Sequence, residues 1–121
     1  MATGTVTMTE QTHKMVKKVT FDWTATTGAA GDTTTKHYDG EVLRINCMET
    51  SCTGYALEIN DSDGVDLLGG QGATMTSGGT DFGTSTGGSI TYPLSVVSSK
   101  LTLAVTGCTT GSTGQTIVYV R

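Results

Sequence analysis

The most informative part of this chain is the stretch Tyr55-Ala-Leu-Glu-Ile-Asn-Asp-Ser-Asp-Gly-Val-Asp-Leu-Leu-Gly-Gly70. Tyr55, Leu57 and Ile59 alternate with smaller or polar residues, which is the period of a half-buried strand. Asp63-Gly64 then supplies two residues that tolerate positive φ, the strongest short signal for a hairpin. The apolar pattern resumes after the turn, at Val65, Leu67 and Leu68. The stretch therefore predicts a strand, a tight acidic turn and a second strand.

The same alternation recurs along the rest of the chain. It predicts strands over residues 15–25, 38–47, 90–96, 101–105 and 115–121, with a Gly-containing loop at 26–36. Pro93 lacks an amide donor, so the strand that contains it is expected at a sheet edge or a bulge. The strand at 115–121 has apolar residues on both faces, which favours a central position. No segment has the pattern of a helix. We expect an all-β fold, a single antiparallel β-sandwich or barrel of about seven or eight short strands.

The inward positions of these strands define a predicted core. Its members are apolar residues two apart in successive runs: Val19, Phe21, Trp23, Leu43, Ile45, Leu57, Ile59, Leu101, Leu103 and Val105.

The length of 121 residues predicts one domain over residues 1–121 with two unusual segments. Residues 1–13 alternate threonine with other residues and form either a first strand or an extended N-terminal arm, in which Val6 and Met8 are candidate subunit contacts. Residues 69–89 contain eight glycines and form a long Gly-rich loop. This loop is either an arm that orders against a neighbouring subunit, with Met75 and Phe82 as anchors, or a flexible loop, or a loop that hides a short edge strand.

Composition and charge restrict the partners. Charged residues make up 15% of the chain and the net charge is −4, which opposes a nucleic-acid partner because such proteins present a basic face. Basic residues cluster at 13–18 and acidic residues at 58–66; these are either patches that allow head-to-tail self-association or ordinary solvated strand faces. No apolar run approaches a membrane span and the N-terminus lacks the pattern of a signal peptide, so synthesis in a cytoplasm is expected.

The candidate chemical motifs do not amount to a catalytic or metal site. The acidic segment 60–66 brings oxygen ligands together, but counting from Asp61 an EF-hand would need Gly and Glu where Asp66 and Gly72 stand. A turn capped by side chains accounts for the same residues. His13 and His37 lie in no acid-base pattern, and no nucleophile or phosphate-loop motif occurs. We expect a protein that is not an enzyme and needs no cofactor or metal.

The three cysteines leave two alternatives open. Cys47 and Cys52 are positioned to close a small loop between adjacent strands, as a candidate disulfide worth roughly 2 kcal/mol in the chain-entropy model. Cys108 would then stay unpaired or bridge to another subunit. The alternative is three reduced thiols, the normal state in a cytoplasm.

Residues 55–70 contain an aromatic residue and alternating apolar residues, then Asp-x-Asp-Gly, apolar-Asp-apolar and a terminal Gly. This pattern resembles that of small all-β virion proteins of tailed bacteriophages. The segments Gly40-Glu-Val-Leu-Arg-Ile45 and Gly114-Gln-Thr-Ile-Val-Tyr-Val-Arg121 fit the same resemblance. It implies a structural component of a capsid or tail, located in the virion after synthesis in the host cytoplasm.

From this resemblance we expect a capsid decoration or cement protein that bridges capsid subunits or other virion proteins. Alternatives are a tail, baseplate or fibre-associated component, or a carbohydrate-binding β-sandwich. A carbohydrate-binding function would require exposed aromatic side chains among Tyr38, Tyr55, Tyr92 and Tyr119.

Overall fold

A computed structural model describes residues 4–26, 28–49, 55–68, 72, 78–82, 96–108 and 111–121, with the backbone alone at 78–82 and 97. These residues form ten strands: β1 (Thr5–His13), β2 (Val16–Thr24), β3 (Ala29–Thr33), β4 (Tyr38–Gly40), β5 (Val42–Glu49), β6 (Ala56–Asn60), β7 (Gly78–Phe82), β8 (Val96–Ser99), β9 (Thr102–Thr106) and β10 (Thr113–Val120). No helix occurs among the described residues, and hence none that is long and apolar enough to cross a membrane.

The strands assemble into three antiparallel sheets. The largest has the order β1-β2-β10-β5-β7, the second β3-β9-β6, and the third pairs β4 with β8. The sheets do not close into a barrel. The prediction of an all-β antiparallel fold is confirmed, and β10 is central, between β2 and β5, as its two apolar faces indicate.

The core lies between the five-stranded and three-stranded sheets. Nine of the ten predicted core residues are buried; Leu43 is only half-buried. The pairing of β10 with β5 shifts between Tyr119, which lies opposite Arg44, and Val120, which lies opposite Val42. Leu43 is the extra residue of this bulge, so the alternation changes phase and Val42 takes the inward position instead.

The predicted loop at 26–36 is wrong, because it contains β3. This strand carries no large apolar residue, and it pairs along its length with β9. At Gly31 a Cβ would lie 2.7 Å from the carbonyl oxygen of Leu103, so the close approach of the two backbones requires glycine.

The predicted strand at 38–47 is divided in the structure. Gly40 has a φ of 128°, and the chain passes there from β4 to β5. Glu41 exchanges two backbone hydrogen bonds with Arg121, of 2.9 and 2.8 Å, which fixes the crossing point. β4 then pairs with β8, whereas most of the predicted strand at 90–96 lies outside the described residues.

The acidic turn is present, but a second strand does not follow it within the described residues. Asp61 Oδ1 accepts hydrogen bonds of 2.9 Å from the amides of both Asp63 and Val65, and Gly64 has a φ of 81°. Beyond the turn a single bridge joins Asn60 to Asp66. The hairpin expected from the sequence is therefore shortened. One edge of β6 pairs with β9, and its other edge meets the returning chain at this bridge and through 2.8 Å backbone hydrogen bonds from Leu67 to Ile59 and from Leu57 to Gly72.

The two unusual segments each contain a strand. Of the alternatives for residues 1–13, the structure has a first strand, since β1 pairs with β2 over all nine of its residues. In the Gly-rich segment, β7 lies beside β5, as the hidden-strand alternative expects. Most of the remaining residues of 69–89, including Met75, lie outside the described part of the chain.

Candidate functional site

The broadest surface is the face of the five-stranded sheet that points away from the core, here called the outer face. Strand register places its residues in rows across β1, β2, β10 and β5. From the upper end, near Thr5, to the lower end, near His13, these rows are Thr5–Thr24–Thr113, Thr7–Asp22–Gln115–Met48, Thr9–Thr20–Ile117–Asn46 and Gln11–Lys18–Tyr119–Arg44.

The upper half of the outer face is neutral apart from one carboxylate and is rich in threonine. A shallow cleft of about 490 Å³ opens there, lined by four threonines together with Asp22, Gln115, Met48 and the buried Glu49, among others. The Gln115 amide donates a 2.9 Å hydrogen bond to Asp22, which leaves this carboxylate partly satisfied. Met48 is 49% exposed. The arrangement offers short polar side chains around one accessible apolar one.

The lower half of the outer face is cationic. Lys18, Tyr119 and Arg44 are direct neighbours across three strands, and the Arg44 guanidinium carbon lies 5.5 Å from the centre of the Tyr119 ring. The basic residues of the whole molecule are distributed in the same way. All seven lysines and arginines lie toward the lower end, on the β1–β2 turn or beside the lower ends of other strands: Lys14, Lys17, Lys18, Lys36, Arg44, Lys100 and Arg121.

The acidic turn also lies at the lower end. Asn60, which precedes it, pairs with Thr102, and Thr102 pairs with Thr33 at the lower end of β3. The basic and acidic clusters therefore lie at the same end of the molecule, and head-to-tail self-association, one of the two alternatives for these clusters, stays a prediction.

A second cleft, of about 310 Å³, lies along the free edge of β1. Here the Tyr38 hydroxyl donates a 2.6 Å hydrogen bond to Glu10, and the Lys36 ammonium lies 3.2 Å from the other carboxylate oxygen. The hydrogen bond from Tyr38 is the main cause that lowers the pKa of Glu10, against an opposing effect of burial. Burial and the same contact raise the pKa of Tyr38. Glu10 is thus held ionised and paired, the state of a structural carboxylate.

A buried polar chain crosses the core. The indole N–H of Trp23 donates to the Thr116 hydroxyl at 3.1 Å, Thr116 donates to Cys47 Sγ at 3.4 Å, and Cys47 Sγ lies 3.5 Å from the Tyr55 hydroxyl. Burial raises the pKa of the Cys47 thiol. A buried, protonated thiol is a poor nucleophile, so this series of hydrogen bonds stabilises the packing of the core and is not a catalytic site.

The predicted disulfide between Cys47 and Cys52 is wrong. Cys47 is a free thiol in the core, because its strand position points inward toward Thr116 and Tyr55. Cys108, which we expected to remain unpaired or to bridge to another subunit, is instead disulfide-bonded, and its partner lies outside the described residues.

The predicted subunit contacts are placed in part. Val6 and Met8 pack against the core, so their side chains face inward and only their backbone lies at the open edge of β1. Met75 and the side chain of Phe82 fall outside the described residues. The sequence reasoning missed the outer face, although its signal was present in the polar half of each alternating strand.

Among the described residues, no group of three or more His, Cys, Asp or Glu side chains is placed to hold a metal ion. A scan against protein-family models, a search of curated proteins and a search of solved structures each found no match. The geometry of the outer face and of the β1 edge is therefore the basis for a functional proposal.

Proposed function

We propose that this protein is a non-enzymatic structural protein of a tailed-phage virion, a capsid decoration or cement protein. In this proposal the outer face binds neighbouring capsid subunits. The phage assignment follows from the sequence resemblance, and the choice of surface follows from the structure.

The observation that carries the proposal is the composition of the outer face. The two upper rows of this face are mostly threonine, with Met48 half exposed, whereas Thr20 and Ile117 in the third row are buried. Threonine is β-branched and holds few rotamers, so burying it against a partner costs little side-chain entropy. A surface of this kind suits close contact with a rigid, repeating lattice.

The cationic lower half of the outer face would determine how the protein is oriented on its partner. Lys18 and Arg44 flank Tyr119 on the lower half of the outer face, so an acidic surface on the partner would attract this half of the face. Charge complementarity of this kind fixes register and speeds association more than it adds affinity. It would set each copy in a single orientation on the capsid.

The carbohydrate-binding alternative has less support. Tyr38 and Tyr55 are buried, at 4% and 0% exposure, and Trp23 belongs to the core. Tyr119 lies on the outer face, but the Arg44 guanidinium lies over its ring. The aromatic platform that a sugar ring stacks on is therefore not formed by these residues.

The proposal is tested first by mass spectrometry of purified particles of the phage that encodes this chain. We expect the protein to be present in stoichiometric amounts, whereas its absence from the particles would refute the virion assignment.

Co-sedimentation of recombinant protein with particles that lack it then tests the surface. Met48→Arg, on the outer face, should weaken binding by about tenfold, equivalent to about 1.4 kcal/mol. Val65→Arg is the matched control, since Val65 is 47% exposed and lies on the acidic turn, away from the outer face. Equal binding of the two variants would exclude the outer face as the attachment surface.

A further inference from the structure

The strand β1 is a long edge that the described residues leave open. It pairs with β2 without a bulge over nine residues, and on its other side the adjoining Gly4 donates its amide to the carbonyl oxygen of Ala29 at 2.9 Å. Edge strands in natural proteins are usually protected by lysine, proline, a bulge or short length. Between Thr5 and His13 no lysine, proline or bulge is present; the one inward-pointing charge, which is another such device, is Glu10, and it is already paired with Lys36.

The register of the β1–β2 hairpin determines which backbone groups face outward. Its two-residue turn, Lys14-Met15, makes His13 and Val16 a hydrogen-bonded pair. Odd-numbered residues of β1 therefore bond to β2, and the even-numbered ones direct both N–H and C=O to the free edge. The outward amide of Gly4 agrees with this parity.

We propose that β1 pairs with β1 of a second copy of this chain, antiparallel about a twofold axis at Thr9. In this register Met8 lies opposite Glu10 of the partner subunit, and Val6 lies opposite Thr12 of the partner subunit. Every outward N–H and C=O between Val6 and Thr12 then finds an acceptor or donor. The two five-stranded sheets become one continuous sheet, with the closed symmetry of an isologous dimer.

Charge disfavours the neighbouring register whose axis lies at Glu10. Moving the axis to Glu10 would place two carboxylates directly opposite each other, which destabilises a sheet. With the axis at Thr9, each carboxylate faces a methionine and keeps its own lysine, Lys36. The cleft beside the edge, lined by Met8, Val19 and Tyr38 among others, leaves room for the inner-face side chains of the added strand. The self-pairing does not depend on the proposed attachment to a capsid.

The experiment uses the whole chain and a single cysteine on the outer face. Thr9 is exposed and would lie opposite its own symmetry mate in a non-hydrogen-bonded pair, with Cα atoms about 4.5 Å apart. That spacing permits a disulfide. Thr9→Cys should therefore form a covalent dimer under mild oxidation, seen on non-reducing electrophoresis. Thr7→Cys is the matched control, because the two copies of this residue would be roughly 14 Å apart and should not cross-link.

Sedimentation velocity supplies the second readout. The unmodified protein should dimerise with rising concentration, and remaining monomeric throughout would overturn the proposal. Met8→Lys places a cation opposite Glu10 of the partner subunit, whereas Met8→Glu places a second anion there, with the same loss of packing. The lysine variant should dimerise more strongly than the glutamate variant. Equal dimerisation of the two, or cross-linking of Thr7→Cys as efficient as that of Thr9→Cys, would refute the register.

Discussion

The indole N–H of Trp23 donates a 3.1 Å hydrogen bond to the hydroxyl of Thr116, in the fully buried interior between the two sheets. The two residues are 93 positions apart in the chain and lie on neighbouring strands, β2 and β10. Trp23 is thereby satisfied as a donor without contact with water. A tryptophan of this size can be fully buried only where such an acceptor is available.

Replacing Thr116 by the isosteric valine should destabilise the protein by about 1–3 kcal/mol, since it leaves the indole N–H buried without an acceptor. Urea unfolding followed by far-UV circular dichroism measures the loss. In a Trp23→Phe background the donor is absent, so the same substitution should cost much less. An equal cost in both backgrounds would mean that the hydrogen bond is not responsible.

Gly114 lies against the ring of Trp23, where an added Cβ would overlap the indole. Gly114→Ala should therefore destabilise the fold by about 1–3 kcal/mol, as overpacking of a core does. The melting temperature reports this change. Trp23→Phe replaces the indole by a smaller ring and should relieve part of the strain. The double variant should therefore lose less stability than the sum of the losses in the two single variants. Strict additivity would argue against the clash.

The inward faces of the large strands could be predicted from the sequence because apolar alternation records which side of a strand is buried. Phe21, Ile45 and Leu103 illustrate this, since each is buried as its period indicates. β3 escaped prediction because its pairing depends on the closeness of two backbones at Gly31, not on apolar side chains. The bulge at Leu43 is likewise set by the partner strand, β10.

The candidate site was harder to predict than the core. Alternation identifies polar positions such as Thr7 and Gln115, but only the strand order β1-β2-β10-β5 brings them into one row. The cysteines were misread for a similar reason. Proximity in sequence favoured a bond between Cys47 and Cys52, whereas the inward direction of Cys47 on β5 places its thiol beside Thr116.

Stability should depend on pH through Glu10. Its pKa is lowered in the folded state by the Tyr38 hydrogen bond and by Lys36. A carboxyl with a depressed folded pKa stabilises the protein above the pKa of the unfolded chain, about 4.3, and loses that contribution as pH falls through the folded value. The difference in unfolding free energy between the wild type and Glu10→Gln should therefore be largest near neutral pH and shrink below about pH 4. Tyr38→Phe removes the main cause of the shift and should flatten this dependence.

The acidic turn should depend on Asp61 more than on Asp63. One oxygen of Asp61 accepts from the amides of Asp63 and Val65, both at 2.9 Å, so it holds the turn that closes β6. Asp61→Ala should cost about 1 kcal/mol, as the loss of a capping side chain does. Asp61→Asn keeps an acceptor oxygen in place and should lose less. Asp63→Asn is the matched control, because Asp63 is exposed and contributes its amide, which the substitution retains. Chemical denaturation measures the unfolding free energy of the three variants. A loss of stability in Asp63→Asn equal to that in Asp61→Ala would show that net charge, not the cap, stabilises the turn.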